Sequence, residues 1–303
     1  MATIRTTKTG RVSGYEQALP YLLLIPAFFI AGVVLIYPLL NGLRLSFTDY
    51  SLIKPSYTWI GFQNFKTIFS DPVYWEVFLN SIVIIFSSVA VQLLLGLAIA
   101  LLLNKHIPLR GLFRSSVFII WIIPLMVVAL LWMIIFNSEF GILNFVLKEI
   151  GLIGKFIPWL GRQGAAKAAI IIVQGWRGVP FFMVMILAGL QTIPKDITDA
   201  ATIDGANSVQ RFFVIMLPFI SHIVVLSALL STVRLFQDIT LIYILTNGGP
   251  VYATTTLAIH VYKEAFTNFQ MGRAASIGVT WLIFLFILAV FYVRMVTKHE
   301  LQK

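Results

Sequence analysis

From Val77 to Leu103 the chain carries no charged residue. A run of that length limits the available folds more than any other feature. About 20 apolar residues in a helix cross the hydrocarbon core of a bilayer. Inside lipid every backbone donor and acceptor must be satisfied within the protein, which favours helices. Five further apolar runs lie at about 19–43, 114–136, 167–190, 219–246 and 275–297. The composition agrees: 59% of the 303 residues are hydrophobic and 11% charged, against about 25% charged in an ordinary soluble domain. The expectation is an all-α integral membrane protein with six transmembrane helices. The first run is too long for a cleaved signal peptide, contains Pro20, Pro26 and Pro38, and lacks a convincing small-residue cleavage site.

Several chemistries are excluded by what the sequence lacks. There is no cysteine, hence no disulfide, thiolate metal site or thiol nucleophile. No GxxxxGK[ST], HExxH or GxSxG pattern occurs, and His106, His222, His260 and His299 are far apart. The net charge of +10 comes without a basic block or a basic-aromatic run. It therefore points to loops facing anionic headgroups, not to nucleic acid.

Lysine and arginine set the expected orientation. Arg5, Lys8 and Arg11 precede the first run, and Lys105, Arg110 and Arg114 join the second to the third. Arg294, Lys298 and Lys303 follow the last. All fall on one side if both termini are cytoplasmic, while the loops around 44–76 and 137–167 mix signs. The chain then divides into a tail (1–18), a first helix with an external loop (19–76), a core (77–297) containing a cytoplasmic loop at 192–218, and a second tail (298–303).

That loop does not follow the positive-inside bias, since Lys195 and Arg211 face Asp196, Asp199 and Asp204. Pro194 and Asp196 mark a helix start. Ala200 and Ala201 make a small, smooth surface, and Asp204-Gly205 is a turn signal. Phe212, Phe213 and Ile215 predict a second short amphipathic helix ended by Pro218. A merely solvated loop needs neither the alanine pair nor the phenylalanine pair, so the segment reads as a docking element.

Asp199-Ala200-Ala201, then Gly205, Ile215 and Leu217-Pro218 at their spacings, resemble the EAA loop of ABC importer permeases, with Asp in place of the first Glu. Leu245-Thr246-Asn247-Gly248-Gly249-Pro250, followed by Ala265-Phe266, Gly272 and Ala274-Ala275, resembles the LTxGGP region of the carbohydrate-type permeases. Ile60-Gly61-Phe62-Gln63-Asn64-Phe65 is similar to their GLxNF motif. The resemblance covers about residues 20–297 and is best to the binding-protein-dependent sugar and glycerol-phosphate branch.

It implies a type I ABC importer transmembrane domain in the cell (inner or plasma) membrane of a prokaryote, multi-pass. The implied partners are a second, distinct permease chain, two ATP-binding subunits and an extracytoplasmic substrate-binding protein. It implies no catalysis and no cofactor on this chain, with ATP and Mg on the partner ATPase. The ATPase-coupling residues would be Asp199, Ala200, Ala201, Asp204, Gly205, Arg211, Phe212, Phe213, Ile215, Leu217 and Pro218.

Charged residues within the apolar runs are the other candidates, because intramembrane charge is costly. Arg234 and Asp238 are spaced i, i+4. They either neutralise each other or form, with Gln237 and Tyr243, a polar wall of a solute path. Arg177 lies in Gln174-Gly175-Trp176-Arg177-Gly178-Val179-Pro180, where two glycines and a proline are expected to weaken the helix. It faces a partner or a freed carbonyl, or contacts substrate with Trp176 stacked on a sugar face. Asn80, Ser87, Ser88 and Gln92 suit hydrogen bonds between helices. The solute is a sugar or oligosaccharide by resemblance, or an anionic solute such as a glycerol phosphate or uronate oligosaccharide. A stand-alone secondary carrier would differ in working without ATP.

Overall fold

The computed structural model describes residues 14–54, 56–105 and 107–300, with side chains described for 21–54, 56–105 and 107–294. Arg5, Lys8 and Arg11 of the first expected tail, and the side chains of Lys298 and Lys303 in the second, lie outside these residues. Among the described residues regular structure is helical, apart from an isolated bridge between Thr48 and Trp59.

The chain runs through α1 (Gly14–Ala31) and α2 (Tyr37–Leu45), then α3 (Gln63–Phe69) and the long α4 (Pro72–Asn104). It continues through α5 (Arg110–Ile122), α6 (Leu125–Ile135), α7 (Ile142–Glu149) and α8 (Gln163–Gln191). The second half comprises α9 (Lys195–Ile203), α10 (Ser208–Arg211), α11 (Leu217–Gln237), α12 (Thr240–Thr246), α13 (Leu257–Phe266) and α14 (Met271–Glu300).

Five stretches are long and apolar enough to span a bilayer: Tyr21–Leu45, Pro72–Asn104, Gln163–Gln191, Ser208–Gln237 and Met271–Arg294. The sixth expected span is broken. α5 and α6 meet at 96°, with Ile123 extended at ψ 125 before Pro124. Proline excludes the helical conformation from the residue before it, so the apolar run at 114–136 is two short helices. The expected fifth span, 219–246, also divides. α11 ends at Gln237, Asp238 is extended at ψ 105, and α12 starts two residues later.

Two other prolines are absorbed without a break. A proline inside a helix cannot donate to the carbonyl four residues back, and its ring crowds that carbonyl. Ahead of Pro38 and of Pro218 the helix widens into one π turn, at Gly32–Ile36 and Phe212–Met216. There Tyr37 N–H reaches Gly32 O, and Leu217 N–H reaches Phe212 O. Pro218 therefore does not end the second loop helix: α10, the π turn and α11 form one continuous helix.

The centre of the fold is α4 against α8. An added Cβ would lie 2.5 Å from the Phe182 Cβ at Gly96, 2.5 Å from Val91 Cγ1 at Gly175 and 2.0 Å from Gln92 Cδ at Gly178. These glycines let two membrane helices approach closely, the usual device where lipid supplies no hydrophobic drive. They do not weaken α8, which runs unbroken through Pro180. Phe182, Met183 and Ile186 of α8 pack with Ile85 of α4, Ile220 and Phe236 of α11 and Ile277 of α14.

A buried polar chain threads this apolar centre. Ser88 Oγ donates to Gln174 Oε1 at 2.9 Å, Gln92 Nε2 donates to Gln174 O at 3.0 Å, and Ser231 Oγ donates to Gln92 Oε1. It joins α4, α8 and α11, as expected for Ser88 and Gln92. Asn80 differs, donating to Tyr252 O in a loop at 2.8 Å.

α1 stands apart. The span from Tyr21 to Leu45 buries none of its most apolar stretch, and only α2 rests on α14. This helix is left to lipid or to another chain.

Candidate functional site

The 192–218 loop is a self-contained helix-turn-helix. α9 starts behind Pro194, with Asp196 in its first turn, where a carboxylate meets the positive end of the helix dipole. Its C-terminus closes by a Schellman motif. Ala206 N–H donates to Ala201 O at 2.9 Å and Gly205 N–H to Thr202 O at 3.1 Å. Gly205 occupies the left-handed position at φ +80, and an added Cβ there would meet nothing within 4 Å. The glycine thus answers to backbone conformation, while the space beyond it is open.

α10 begins with a capping box. The Asn207 side chain accepts from the N–H of Val209 and of Gln210, and Gln210 Oε1 accepts from Asn207 N–H. This satisfies donors that a helix start leaves free. Arg211 ties the two limbs, donating to Thr202 Oγ1 across the turn and to Ser208 Oγ at 3.3 Å. Asp199, Ala200 and Asp204 are exposed and Ala201 is half-buried.

Phe212 and Phe213 lie edge to face at 4.9 Å in the π turn. Phe213 points outward, while Phe212, Ile215 and Leu217 are half-buried and Pro218 is exposed. The most exposed of the large apolar side chains described is Ile203, at 86%, and Val209 is exposed at 64%. Sequence reasoning missed both. Ile203 directly precedes the Asp-Gly turn, so a chain signal was available. The loop is therefore hydrogen-bonded within itself yet presents bare apolar groups, as a preformed contact surface does.

The LTxGGP segment is also a hydrogen-bonded knot. Asn247 and Gly248 are left-handed. Thr254 Oγ1 donates to Gly249 O and Thr255 Oγ1 to Gly248 O, both at 2.8 Å, and Lys263 Nζ donates to Asn247 O at 2.7 Å. Asn64 donates to Ser46 O and Thr48 O. Gly272 lets that loop lie on α14, since an added Cβ would sit 2.1 Å from Thr48 O. The unexpected organiser of 137–167 is Asn144. It is fully buried, donates to Ile157 O, and accepts from Ile157 N–H and Trp159 Nε1.

The intramembrane charges are arranged differently from the expected pair. Because α11 ends before Asp238, Arg234 and Asp238 do not share one helix face. Among the described residues the ion pairs involve Arg273, with Asp71 at 2.8 Å and Glu264 at 3.7 Å, and not Arg234. The Arg234 guanidinium lies over the Phe181 ring at 5.9 Å, and Asp238 accepts from Leu241 N–H at 3.4 Å, at the start of α12. Arg177, on α8, is close enough for its charge to act on both Arg234 and Asp238, and its Nε is buried without a hydrogen-bond partner. Arg177, Arg234 and Asp238 thus form one loose cluster between α8 and the α11–α12 break. Trp176 is turned away into an edge-on contact with Trp132 at 5.7 Å. Tyr243 sits edge-on to Tyr262, and Gln237 is exposed.

The fold is thus a polytopic helical bundle carrying a preformed loop between two spans. Residues 92–298 match the family of binding-protein-dependent transport system inner membrane components. The chain belongs to that family. It is 33% identical over 287 residues to the sulfoquinovosyl glycerol transport system permease protein of Agrobacterium fabrum, covering 94% of this chain and 92% of that one. It is 31% identical over 270 residues to the trehalose/maltose transport system permease protein of Thermococcus litoralis, covering 89% and 91%. In fold it is similar to a chain of a bacterial ABC transporter that imports alginate, with TM-score 0.77 and 20% identity over 94% of this chain and 97% of that one. The chain is a permease subunit of a binding-protein-dependent importer and not itself an enzyme.

Proposed function

We propose that this chain forms half of the translocation path for a sugar or oligosaccharide, and that the 192–218 loop docks on an ATP-binding subunit on the cytoplasmic side. The observation that carries the docking assignment is Ile203, bare beside a turn that is closed by its own hydrogen bonds. A rigid element with an exposed apolar tip transmits movement to a span, and here α10 is continuous with α11. The motif spacing around Asp199 and Gly205 supports the same reading, as do relatives named for sugar transport. A second permease chain, two ATP-binding subunits and a binding protein complete the importer.

The charge cluster favours a second reading of the solute. Arg177 and Arg234 outweigh Asp238, and Arg177 Nε lacks a partner. An acidic group on the sugar would supply one, and one relative is named for sulfoquinovosyl glycerol transport. Uptake into proteoliposomes holding the assembled transporter tests both readings. Labelled sugar should enter only with ATP inside the ATPase compartment and binding protein opposite, and entry without ATP would indicate a carrier. Competition by uronate against neutral oligosaccharides separates the two solute classes.

A further inference from the structure

Behind the 192–218 loop lies a cavity of about 680 Å³, where the end of α4 and the start of α5 meet α9 and α10. Four cationic residues line it, Lys105, Arg110, Lys195 and Arg211, and no Asp or Glu does. Asp196 and Asp199, on the same loop, are exposed elsewhere. The lining also includes apolar residues, Leu190 and Met216 among them. Cations converging on one hollow repel one another unless something anionic sits between them.

One of these four cations, Arg110, is also short of hydrogen-bond partners. Arg110 has Nε and one terminal nitrogen buried without a hydrogen-bond partner. A buried guanidinium donor left unpaired costs more than an ordinary lost hydrogen bond, and its planar fork suits phosphate oxygens. Arg110 also lines a smaller adjoining cavity with Arg114, which extends the basic wall. α5 begins there with neither a capping side chain nor an acid in its first turn, so its dipole adds to the positive field.

We propose that this cavity binds a phosphate-bearing anion, held by Arg110 and Lys195 and bridging the α4–α5 connection to the docking loop. A free phosphate compound or the headgroup of an anionic phospholipid would present the same chemistry. Apolar and cationic residues in one lining also suit the glycerol end and headgroup of a lipid, as in basic pockets between membrane helices. Bound there, the anion would brace α9 against α5. The assignment does not depend on the docking reading, because its test measures binding and not transport.

The full-length chain in detergent is titrated with pyrophosphate while its thermal midpoint is followed. In parallel, the chain in phosphatidylcholine bilayers with and without phosphatidylglycerol is released for mass spectrometry of retained lipid. A saturable stabilisation by pyrophosphate identifies the free phosphate, and retained phosphatidylglycerol identifies the headgroup; either supports the site. In each case Arg110→Gln should weaken binding about tenfold, and Lys155→Gln, in a different loop, should not. If Arg110→Gln does not fold, Lys105→Gln with Lys195→Gln makes the same test. No binding in both arms, or binding unchanged by the cavity variants, overturns the proposal.

Discussion

Replacing Gly178 by alanine probes the contact on which the membrane core rests. The new Cβ would fall 2.0 Å from Gln92 Cδ and 2.3 Å from its Oε1, closer than non-bonded atoms allow. Gln92 is fully buried and cannot swing into solvent. To yield, it must break its bond to Gln174 O and lose the one it accepts from Ser231. Hydrogen bonds between membrane helices average about 0.6 kcal/mol each, and overpacking a close contact costs about 1–3 kcal/mol. The sum is about 2–4 kcal/mol, less about 0.5–1 kcal/mol regained when a helical glycine becomes alanine. Gly164→Ala is the control, because its Cβ would meet nothing within 4 Å. Stability in detergent should fall clearly for Gly178→Ala and not for Gly164→Ala. Adding Gln92→Ala should recover part of the loss, because it removes the clashing group. Equal stability of the two single variants would refute the close-contact reasoning.

Further outcomes follow from other parts of the fold. A cysteine at Asn207 should react with an impermeant thiol reagent only from the cytoplasm, and one at Ser56 only from outside; the reverse pattern would overturn the orientation. Arg234 and Asp238 form no ion pair, so a double-mutant cycle in stability should show coupling below about 0.5 kcal/mol, while the double apolar variant loses uptake; strong coupling with full uptake would remove both from the path. His260 is buried and its pKa is lowered from 6.5, chiefly by burial, with Arg273 and Lys263 acting in the same sense and Glu264 and Asp71 opposing. A depressed histidine pKa gives stability that is present above 6.5 and lost as pH falls through the folded value. The thermal midpoint should therefore drop on acidification below about 6.5, and His260→Gln should flatten that slope.

The apolar runs made the membrane class legible because lipid constrains sequence at the scale of whole helices. They did not show where helices break. Pro124 splits a run and Pro218 does not, although both are prolines in apolar helical sequence. The difference is that one π turn can absorb the displaced carbonyl ahead of Pro218, whereas Ile123 goes extended. Gly175 and Gly178 look alike as helix weakeners or as packing notches until α4 is seen lying against them. The Arg234–Asp238 spacing suggested an ion pair only while the helix was assumed to continue. Asn144 left no signal, because its partners Ile157 and Trp159 come from a loop without periodicity. The helix–turn–helix at 195–211 was more legible, since Pro194 as a helix start and the Asp204-Gly205 turn act locally.

One substitution decides whether the Gly205 turn transmits ATP-driven movement. Gly205→Arg adds a side chain in open space, at a position where a left-handed non-glycine residue costs about 1–2 kcal/mol, so the chain should still insert and assemble. Uptake and ATP hydrolysis should be measured together on the assembled transporter in proteoliposomes. The expected result is normal amounts of assembled permease with uptake reduced at least about tenfold, an effect of about 1.4 kcal/mol or more on the transport step. Uptake at the wild-type rate by correctly assembled Gly205→Arg would contradict it.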